Sequence, residues 1–310
     1  MSEIQNHNEY QWQGLVTNIA DEIALYDFLR RRLKWSRRFL RRLRENGHVK
    51  INGETVPYFN VGLKMNDQIE VTWIEAVVPS NEFLDSAAIE VPELQILQMD
   101  HDLIVINKPS GYLVHPVRFY RGKTIQEALI ARLGGEMVQP VHRLDRETSG
   151  VLLFARHAMA QQHLSEQFKH KTVLKKYIAI GLGWSEQDEM IVDLPIGVDP
   201  DHPCQRLIDE NGQSSTSIFT VLQRSYWGDQ PVTMFKVVPQ TGRTHQIRVH
   251  AQAIGHPLVG DFVYGGDRCR ALSDRVCLHA NSLRVKHPST GHEIEWETDM
   301  PSEWQMTMKD

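Results

Sequence analysis

One short stretch of this chain is strongly positive although the protein as a whole is acidic. Between positions 26 and 50 there are ten Lys or Arg residues and two acidic residues, a formal charge of +8. The net charge of the whole chain is −5, so the rest sums to −13. Positive charge confined to one segment favours a separate module at the front of the chain, with a polyanionic partner.

Hydrophobic spacing predicts two short helices and a hairpin in and around this basic stretch. Apolar residues recur at helical spacing over 23–33 and again over 39–43. Ser36 suits the N-cap of the second helix, and Gly47 suits a left-handed residue that ends it. The period then changes to two, and Asn52-Gly53 favours a type I′ hairpin turn.

The arginines of the second helix are expected to point away from this small core. They would face either a phosphate backbone or, in the alternative interpretation, only solvent. The candidates for contact with a phosphate backbone are Arg37, Arg38, Arg41 and Arg42.

The order of residues over 36–53 (SRRFLRRLRENGHVKING) and 63–69 (LKMNDQI) resembles the RNA-binding domain named after ribosomal small-subunit protein S-four. That domain is a small module of two helices and a hairpin. Asn66 stands where this family prefers Gly, which is a mild departure because Asn tolerates a left-handed backbone. The resemblance covers residues 21–75 and implies a module that binds RNA.

The chain divides into four parts by composition and periodicity. Residues 1–20 are expected to form an N-terminal tail, 21–75 the basic module, 76–91 a linker and 92–310 a larger domain. In the larger domain, short apolar runs such as LIVIN, VLLFA, YIAIG and MFKVV alternate with turn residues, and helical spacing appears around 124–133 and 158–169. The fold class is therefore α+β: a small basic α/β module followed by a mixed, mostly antiparallel sheet.

Composition and missing motifs exclude several classes of protein. A hydrophobic fraction of 41% and a charged fraction of 24% are typical of a folded globular chain. There is no run of 18 apolar residues and no signal-peptide pattern, so we expect a soluble cytoplasmic protein without a membrane. The three cysteines show no CxxC spacing, and HExxH, GxGxxG and GxxxxGK[ST] are all absent. We expect no metal and no cofactor, and a monomer.

The richest polar segment is a loop that runs directly into a buried strand. His142, Arg143, Asp145 and Arg146 crowd this loop before the strand VLLFA. Asp145 lies between two arginines, and a nearby positive charge lowers the pKa of a carboxyl group by about 1 to 3. Asp145 is therefore a candidate catalytic carboxylate, although a lone Asp in a loop is more often a cap or turn residue.

The segment 241–250 (TGRTHQIRVH) alternates in a way that predicts a strand. Arg243 and His245 would then share one face, and Gln246 and Arg248 the other. An exposed polar strand is the alternative interpretation.

Taken together, HRLDRETSG, NKPSGYLVHP, KKYIA, GRTHQIRVH, HPLVGD and CLHANSLRVKHP are similar in identity and order to the RluA-type pseudouridine synthases, over residues 92–300. This resemblance implies an isomerase that turns uridine in RNA into pseudouridine with side chains alone. By motif position, Asp145 is the catalytic carboxylate, Tyr177 stacks on the target base and assists the final proton removal, and Arg243 pairs with Asp145. Arg143 would fill the place of the flipped base, Leu278 would wall the pocket, and His142 is a further candidate for contact with RNA.

Several questions stay open at the level of sequence. Asp145 could attack the ribose or remove a ribose proton to give a glycal. A non-catalytic RNA-binding or ribosome-assembly factor and an N-glycosidase are the alternative functions. Ribosomal RNA is favoured over transfer RNA as the partner because a basic front domain accompanies members of this family that act on large RNA.

Overall fold

The computed structural model describes residues 7–76, 93–117, 124–136 and 138–304. The larger part of the expected linker, 77–91, lies outside the described residues. Two units, each with its own sheet, lie on either side of this gap. None of the described helices is both long enough and apolar enough to cross a bilayer.

The first unit is a four-stranded antiparallel sheet packed against short helices. Its elements are β1 (His7–Leu15), β2 (Ile23–Ala24), α1 (Leu25–Asp27), a wider π-helical turn (Phe28–Arg32), α2 (Arg37–Asn46), β3 (Gly47–Ile51), β4 (Glu54–Val56), β5 (Gly62–Leu63) and β6 (Gln68–Ala76). The strand order in the sheet is β1-β6-β3-β4, and a small ladder of β2 and β5 lies beside it.

Most local predictions for this unit are confirmed. Ser36 caps α2, with its side-chain oxygen accepting a hydrogen bond from the Phe39 amide. Asn52 and Gly53 both have positive φ, as a type I′ turn requires, and the hairpin β3-β4 closes around them. Asn66 is left-handed, with φ 71°.

Two details differ from the sequence analysis. Gly47 is extended (φ −144°), because α2 leads straight into β3 instead of ending in a left-handed cap. Residues 7–15, assigned to an N-terminal tail, form β1, which pairs with β6 along its whole length. The outer strand completes the sheet and brings Tyr10 into the core of the unit.

The first unit is docked on the second through an aromatic cluster. Trp73 on β6 contacts the rings of Tyr10, Phe39 and His157, at centroid distances of 5.7, 5.3 and 5.6 Å. Met159 of the second unit belongs to the same buried cluster as the core of the first. The two units therefore share one continuous apolar interface.

Polar contacts fix the same interface. The Ser36 amide, at the start of α2, donates to Gln162 Oε1 at 2.5 Å. His157 Nδ1 accepts from the Ala160 amide, so its Nε2 carries the hydrogen that is donated to buried Asp102 at 2.8 Å. Burial alone would raise the pKa of Asp102, but hydrogen bonds from His157 and Ser289 outweigh it and lower that pKa to about 2. Asp102 is thus a stable anion beneath the aromatic cluster.

The second unit is built on one large mixed sheet with helices packed against it. Its elements are β7 (Gln95–Met99), β8 (Leu103–Lys108), α3 (Ile125–Arg132), β9 (Gln139–Pro140), β10 (Ser149–Ala155), α4 (Ala158–Lys169), β11 (Leu174–Leu182), β12 (Glu189–Asp193), β13 (Ile196–Val198), β14 (Arg206–Ile208), β15 (Thr216–Trp227), β16 (Gln230–Pro239), α5 (Gln246–Ala253), α6 (Phe262–Arg270), β17 (Leu278–Lys286) and β18 (Glu293–Glu297).

The order β12-β15-β16-β11-β17-β10-β8-β7 runs across this sheet, with β18 beside β17 and β9 beside β10. The pair β10-β17 is parallel and the other pairs are antiparallel, so the expected mixed, mostly antiparallel sheet is confirmed. At the parallel pair the backbones approach closely. Gly150 has φ 110°, and a Cβ there would overlap the Ala280 carbonyl oxygen, so only glycine fits.

The apolar runs of the second unit form β8, β10, β11 and β16, and the two segments with helical spacing form α3 and α4, as expected. The strand predicted over 241–250 is wrong, because residues 246–253 form helix α5. Buried Gln246 explains the local structure. Its side-chain oxygen accepts from Thr241 and from the Arg243 amide, and its nitrogen donates to Thr216 and Ser217, which ties the preceding loop to the sheet.

Lys108, at the end of β8, holds the polar loop that precedes β10. Its fully buried side-chain nitrogen donates to the carbonyl oxygens of Pro109, Arg146 and Thr148 at 3.0, 3.0 and 2.7 Å. Burial lowers the pKa of Lys108 to about 7, whereas these acceptors favour the protonated form. Three carbonyl acceptors match the three N–H bonds of an ammonium group. The loop is therefore fixed from below by one side chain.

Replacing Trp73 by Ala is expected to lower the free energy of unfolding of the first unit by about 3–5 kcal/mol, because a buried aromatic ring is lost from the shared interface. Denaturant unfolding followed by circular dichroism measures the change. Ile74→Ala on the same strand is the control, since Ile74 is 39% exposed. Equal unfolding midpoints for the two variants would contradict the shared core.

Lys108→Met is expected to lower the free energy of unfolding by about 3 kcal/mol or more, because three buried carbonyl oxygens lose their donor. The neighbouring Asn107→Ala serves as the control, since that side chain contacts Gln95 at an exposed position. Thermal and denaturant unfolding provide the measurement. A Lys108→Met protein as stable as the control would show that the loop does not depend on this amine.

Candidate active site

Asp145 lies in a cavity of about 640 Å³ formed where the loop 141–148 meets β11, β17 and the start of α5. Its neighbour Leu144 is buried in the core and anchors the loop. The Thr148 amide donates to the Asp145 carbonyl and closes a turn. The Asp145 side chain is 19% exposed, so its carboxylate faces the cavity without being open to bulk water.

Arg248, in the first turn of α5, is the arginine that lies beside Asp145. Its Nη1 is 3.9 Å from Asp145 Oδ2. Its other two nitrogens, Nε and Nη2, donate to the two oxygens of fully buried Asp261 at 2.7 and 2.8 Å. The guanidinium also lies 4.9 Å from the centroid of the Tyr264 ring. Asp261 thus fixes the orientation of Arg248 and leaves one of its nitrogens directed to Asp145.

The prediction that Arg243 pairs with Asp145 is wrong. Arg243 is exposed, and its Nε donates to the Ser214 carbonyl oxygen at 3.2 Å. The physical reason is the helix: α5 begins at Gln246, so Arg248 is turned toward the carboxylate while Arg243 stays in the loop at the mouth of the cavity.

His245 is the second polar neighbour of Asp145. Its Nε2 is 4.0 Å from Asp145 Oδ2, and its Nδ1 is 2.7 Å from the Tyr264 hydroxyl. Burial lowers the pKa of His245 below its usual value although the Asp145 charge acts in the opposite sense. The ring is therefore neutral at pH 7.

Tyr177 and Leu278 lie on the cavity wall. Tyr177 is half-buried on β11, at a point where the register against β17 shifts, and such a bulge redirects a side chain. Burial, and next the Asp145 charge, raises the pKa of Tyr177 far above its usual value, so the phenol keeps its proton. Leu278 is buried and belongs to the core cluster against which Tyr177 packs.

His142 lies within the cavity wall, whereas the next residue, Arg143, is exposed at the cavity's edge. The His142 ring stacks on Phe168 at 4.8 Å, and its Nε2 accepts from the Leu153 amide, so it also supports the cavity wall. Burial lowers the pKa of His142 to about 3, which keeps the ring neutral. Arg143 is exposed at the edge of the same cavity.

The cavity is positively charged although the chain is acidic. Asp145 is the one carboxylate among its lining residues, against six Lys or Arg: Arg143, Lys169, Lys171, Lys175, Arg243 and Arg248. Lys175 donates to the Thr241 carbonyl oxygen, and burial lowers its pKa to about 8. A site of this charge suits a substrate that carries phosphates.

The candidate RNA-binding arginines lie on α2, well apart in sequence from this cavity. Arg37 and Arg41 are exposed and have no ion-pair partner among the residues that the structure describes. Arg42 is half-buried, and the Arg38 side chain lies outside the described part. Phe39, Leu40 and Leu43 are buried on the opposite face, so the expected amphipathic arrangement of α2 is present.

Sequence reasoning missed the residues that orient the carboxylate: Arg248, His245, Asp261 and Tyr264. Both Arg248 and His245 lie in the motif GRTHQIRVH, which the sequence analysis had singled out. The alternating pattern of 241–250 favoured a strand instead. Asp261 is the last residue of the motif HPLVGD and Tyr264 lies three residues after it, but neither residue's partner can be read from the sequence.

Comparison with known proteins identifies the family. A model of the RNA pseudouridylate synthase family matches residues 102–253. The chain is 36% identical over 276 residues to the uncharacterized RNA pseudouridine synthase YlyB of Bacillus subtilis, with 87% of each chain covered. It is 31% identical over 310 residues to the ribosomal large subunit pseudouridine synthase C of Vibrio parahaemolyticus, covering 95% of this chain and 96% of the relative.

A solved structure agrees with this result. The human RNA pseudouridylate synthase domain containing 1 superimposes with a TM-score of 0.61 at 29% identity, covering 72% of this chain and 91% of the human one. Sequence, fold and a positively charged cavity around one carboxylate lead to the same conclusion: this chain belongs to the RNA pseudouridine synthase family.

Proposed function

We propose that this enzyme isomerises uridine in ribosomal RNA, with Asp145 as its catalytic carboxylate. The observation that carries the proposal is the position of Asp145, in a cavity of one-nucleotide size, between His245 and buried Arg248. The volume of about 640 Å³ falls in the range of small-molecule sites, about 300–1,000 Å³.

The reaction needs no external reagent. The bond between N1 of uracil and C1′ of ribose breaks, the base turns, and C5 bonds to C1′. The C5 hydrogen then leaves as a proton, and N1 gains one. Asp145 would either attack C1′ or remove a proton from C2′, and both routes need a carboxylate held against the ribose.

Neighbouring residues would support these steps. Tyr177, which keeps its phenolic proton, is proposed to pack on the target uracil beside Leu278. Arg248 is proposed to take the role assigned to Arg243, orienting Asp145 and stabilising its charge. Arg243 at the cavity mouth is then a candidate phosphate contact.

The target base must leave its stack to reach Asp145, at a cost of a few kcal/mol. Arg143 is exposed at the edge of the cavity and is proposed to fill the vacated place. His142 stands in the cavity wall and is proposed as a further contact to the flipped nucleotide.

The first unit is proposed to act as an RNA-binding domain of the S-four type. Its exposed arginines on α2 would contact phosphates and position the RNA without reading its sequence. A ribosomal RNA substrate is supported by the name of the Vibrio relative, which matches along almost all of this chain. The proposal includes a monomeric cytoplasmic enzyme, in keeping with the three free cysteines, Cys204, Cys269 and Cys277.

Asp145→Asn is expected to lower the rate of pseudouridine formation by at least about 100-fold, because the amide can neither attack nor accept a proton. Unmodified ribosomal and transfer RNA transcripts labelled with tritium at uridine C5 are the substrates. Tritium release gives the rate, and carbodiimide-blocked primer extension maps the position. Asp188→Asn is the control, since its side chain is 86% exposed.

Each alternative gives a different result in this experiment. Free uracil released from RNA would favour an N-glycosidase. RNA binding without tritium release by the wild-type protein would favour a non-catalytic factor and overturn the proposal. Modification of transfer RNA alone would leave the enzyme assigned and refute the ribosomal substrate.

Replacing Arg37 and Arg41 together by Gln is expected to weaken RNA binding and flatten its dependence on salt. Each lost phosphate contact reduces the slope of log K against log salt concentration by about 0.7–0.9. The matched control is the double variant Arg31→Gln, Arg32→Gln, since Arg31 pairs with Asp27 and Arg32 donates to the Asn18 carbonyl. Equal slopes for the two double variants would remove the assigned role of α2.

A further inference from the structure

His245 adopts a backbone conformation that side chains with a Cβ rarely take. Its φ and ψ are 57° and 15°, in the left-handed region, directly before the first residue of α5. Such conformations persist where the surrounding structure determines them, and they concentrate at functional sites. The position of the His245 ring is therefore imposed by its contacts.

A chain of hydrogen bonds fixes which nitrogen of His245 carries the hydrogen. The Arg206 amide donates to the Tyr264 hydroxyl oxygen at 3.0 Å. Among the described residues, His245 Nδ1, at 2.7 Å, is the only acceptor within hydrogen-bond distance of the Tyr264 O–H, so we assign the hydroxyl as the donor in this bond. Because Nδ1 of the neutral ring accepts this bond, the ring hydrogen is on Nε2.

Tyr264 itself has little freedom. It is buried, and its amide donates to Asp261, the same carboxylate that holds Arg248. Asp261 thus positions both neighbours of Asp145: Arg248 directly, and His245 through Tyr264. A shift of α6 would move both.

The Nε2–H of His245 points into the cavity without a protein acceptor at hydrogen-bond distance among the described residues. The nearest carboxylate oxygen, Asp145 Oδ2, is 4.0 Å away, and Arg248 Nη1 is 3.9 Å from the same oxygen. Both distances exceed a hydrogen bond. The His245 side chain is 18% exposed and lines the cavity, so it can contact a ligand there.

We propose that His245 Nε2 donates a hydrogen bond to the ribose O2′ of the target nucleotide. This inference rests on the proposed function, in which Asp145 reaches either C1′ or C2′ of that ribose. O2′ is bonded to C2′ and lies two bonds from C1′, so on both routes it comes next to the Asp145 carboxylate, where the free donor lies. The 2′-hydroxyl distinguishes RNA from DNA, and His245 makes the enzyme specific for it.

The test is a cycle of two proteins and two substrates. The RNA fragment that the wild-type enzyme modifies is prepared with either uridine or 2′-deoxyuridine at the target. Wild type is compared with His245→Asn, because Asn tolerates a left-handed backbone and its amide is too short to replace Nε2. Single-turnover rates are measured, and the intrinsic reactivity of the deoxy sugar cancels in the comparison.

His245→Asn is expected to slow the uridine substrate by about 5- to 10-fold and the deoxyuridine substrate by less than about 2-fold. His245→Gln, whose amide nitrogen can occupy the place of Nε2, is expected to restore most of the loss. Tyr264→Phe, which keeps the ring over Arg248 and removes the hydroxyl, is expected to slow the uridine substrate selectively. The same comparison can also be made without turnover: each His245 variant is combined with Asp145→Asn, and its equilibrium affinity for the two RNA substrates is measured.

An equal loss on both sugars, in rate and in affinity, would assign His245 a structural role and overturn the inference. An unchanged uridine rate in His245→Asn would overturn it as well. Absence of pseudouridine with the wild-type protein would instead refute the proposed function, so the two failures are distinguishable.

Discussion

The bidentate ion pair between Arg248 and Asp261 is the interaction on which the active site depends. Both side chains are buried, and a buried charge is tolerated when it is paired and hydrogen-bonded. Burial alone would lower the pKa of Arg248, but Asp261 and next Asp145 raise it above its usual value. The guanidinium is thus a fixed positive charge, and its third nitrogen sets the electrostatic environment of Asp145 before any substrate binds.

The loop 141–148 that carries Asp145 is supported on two sides. Lys108 holds the loop through three backbone carbonyl oxygens, whereas α5 and α6 present side chains to its carboxylate. Lys108 thus positions the backbone of the loop, whereas Arg248 on α5 interacts with the charge of the Asp145 side chain. Because the two supports are independent, the loop is held in place while the Asp145 oxygen atoms make no direct hydrogen bond to Arg248 or His245. This arrangement suits the reaction with a ribose that we propose for this carboxylate.

Local sequence signals predicted local structure well and side-chain partnerships poorly. The helix cap at Ser36 and the turn at Asn52-Gly53 involve only residues a few positions apart, so their local sequence motifs were enough to predict them. The parallel pairing of β10 with β17 joins residues about 130 positions apart, and nothing in either strand specifies the partner. The position of Asp145 in a cavity followed from its motif, but the choice of Arg248 over Arg243 depended on α5 being a helix. That helix is set by the long-range hydrogen bonds of Gln246, which outweigh an alternating pattern.

The docking of the first unit holds its basic helix α2 at a defined position relative to the second unit. The Ser36 amide, at the N-cap of the basic helix, is bonded to Gln162 on the second unit, and Trp73 packs on His157 nearby. A flexible tether would let the arginines of α2 raise only the local concentration of RNA. A helix fixed at its first residue also constrains the direction in which a bound phosphate backbone leaves it. If α2 binds RNA as we propose, the basic unit would contribute to the choice of uridine without contacting a base, since the RNA would have to fit two positively charged surfaces at one relative orientation.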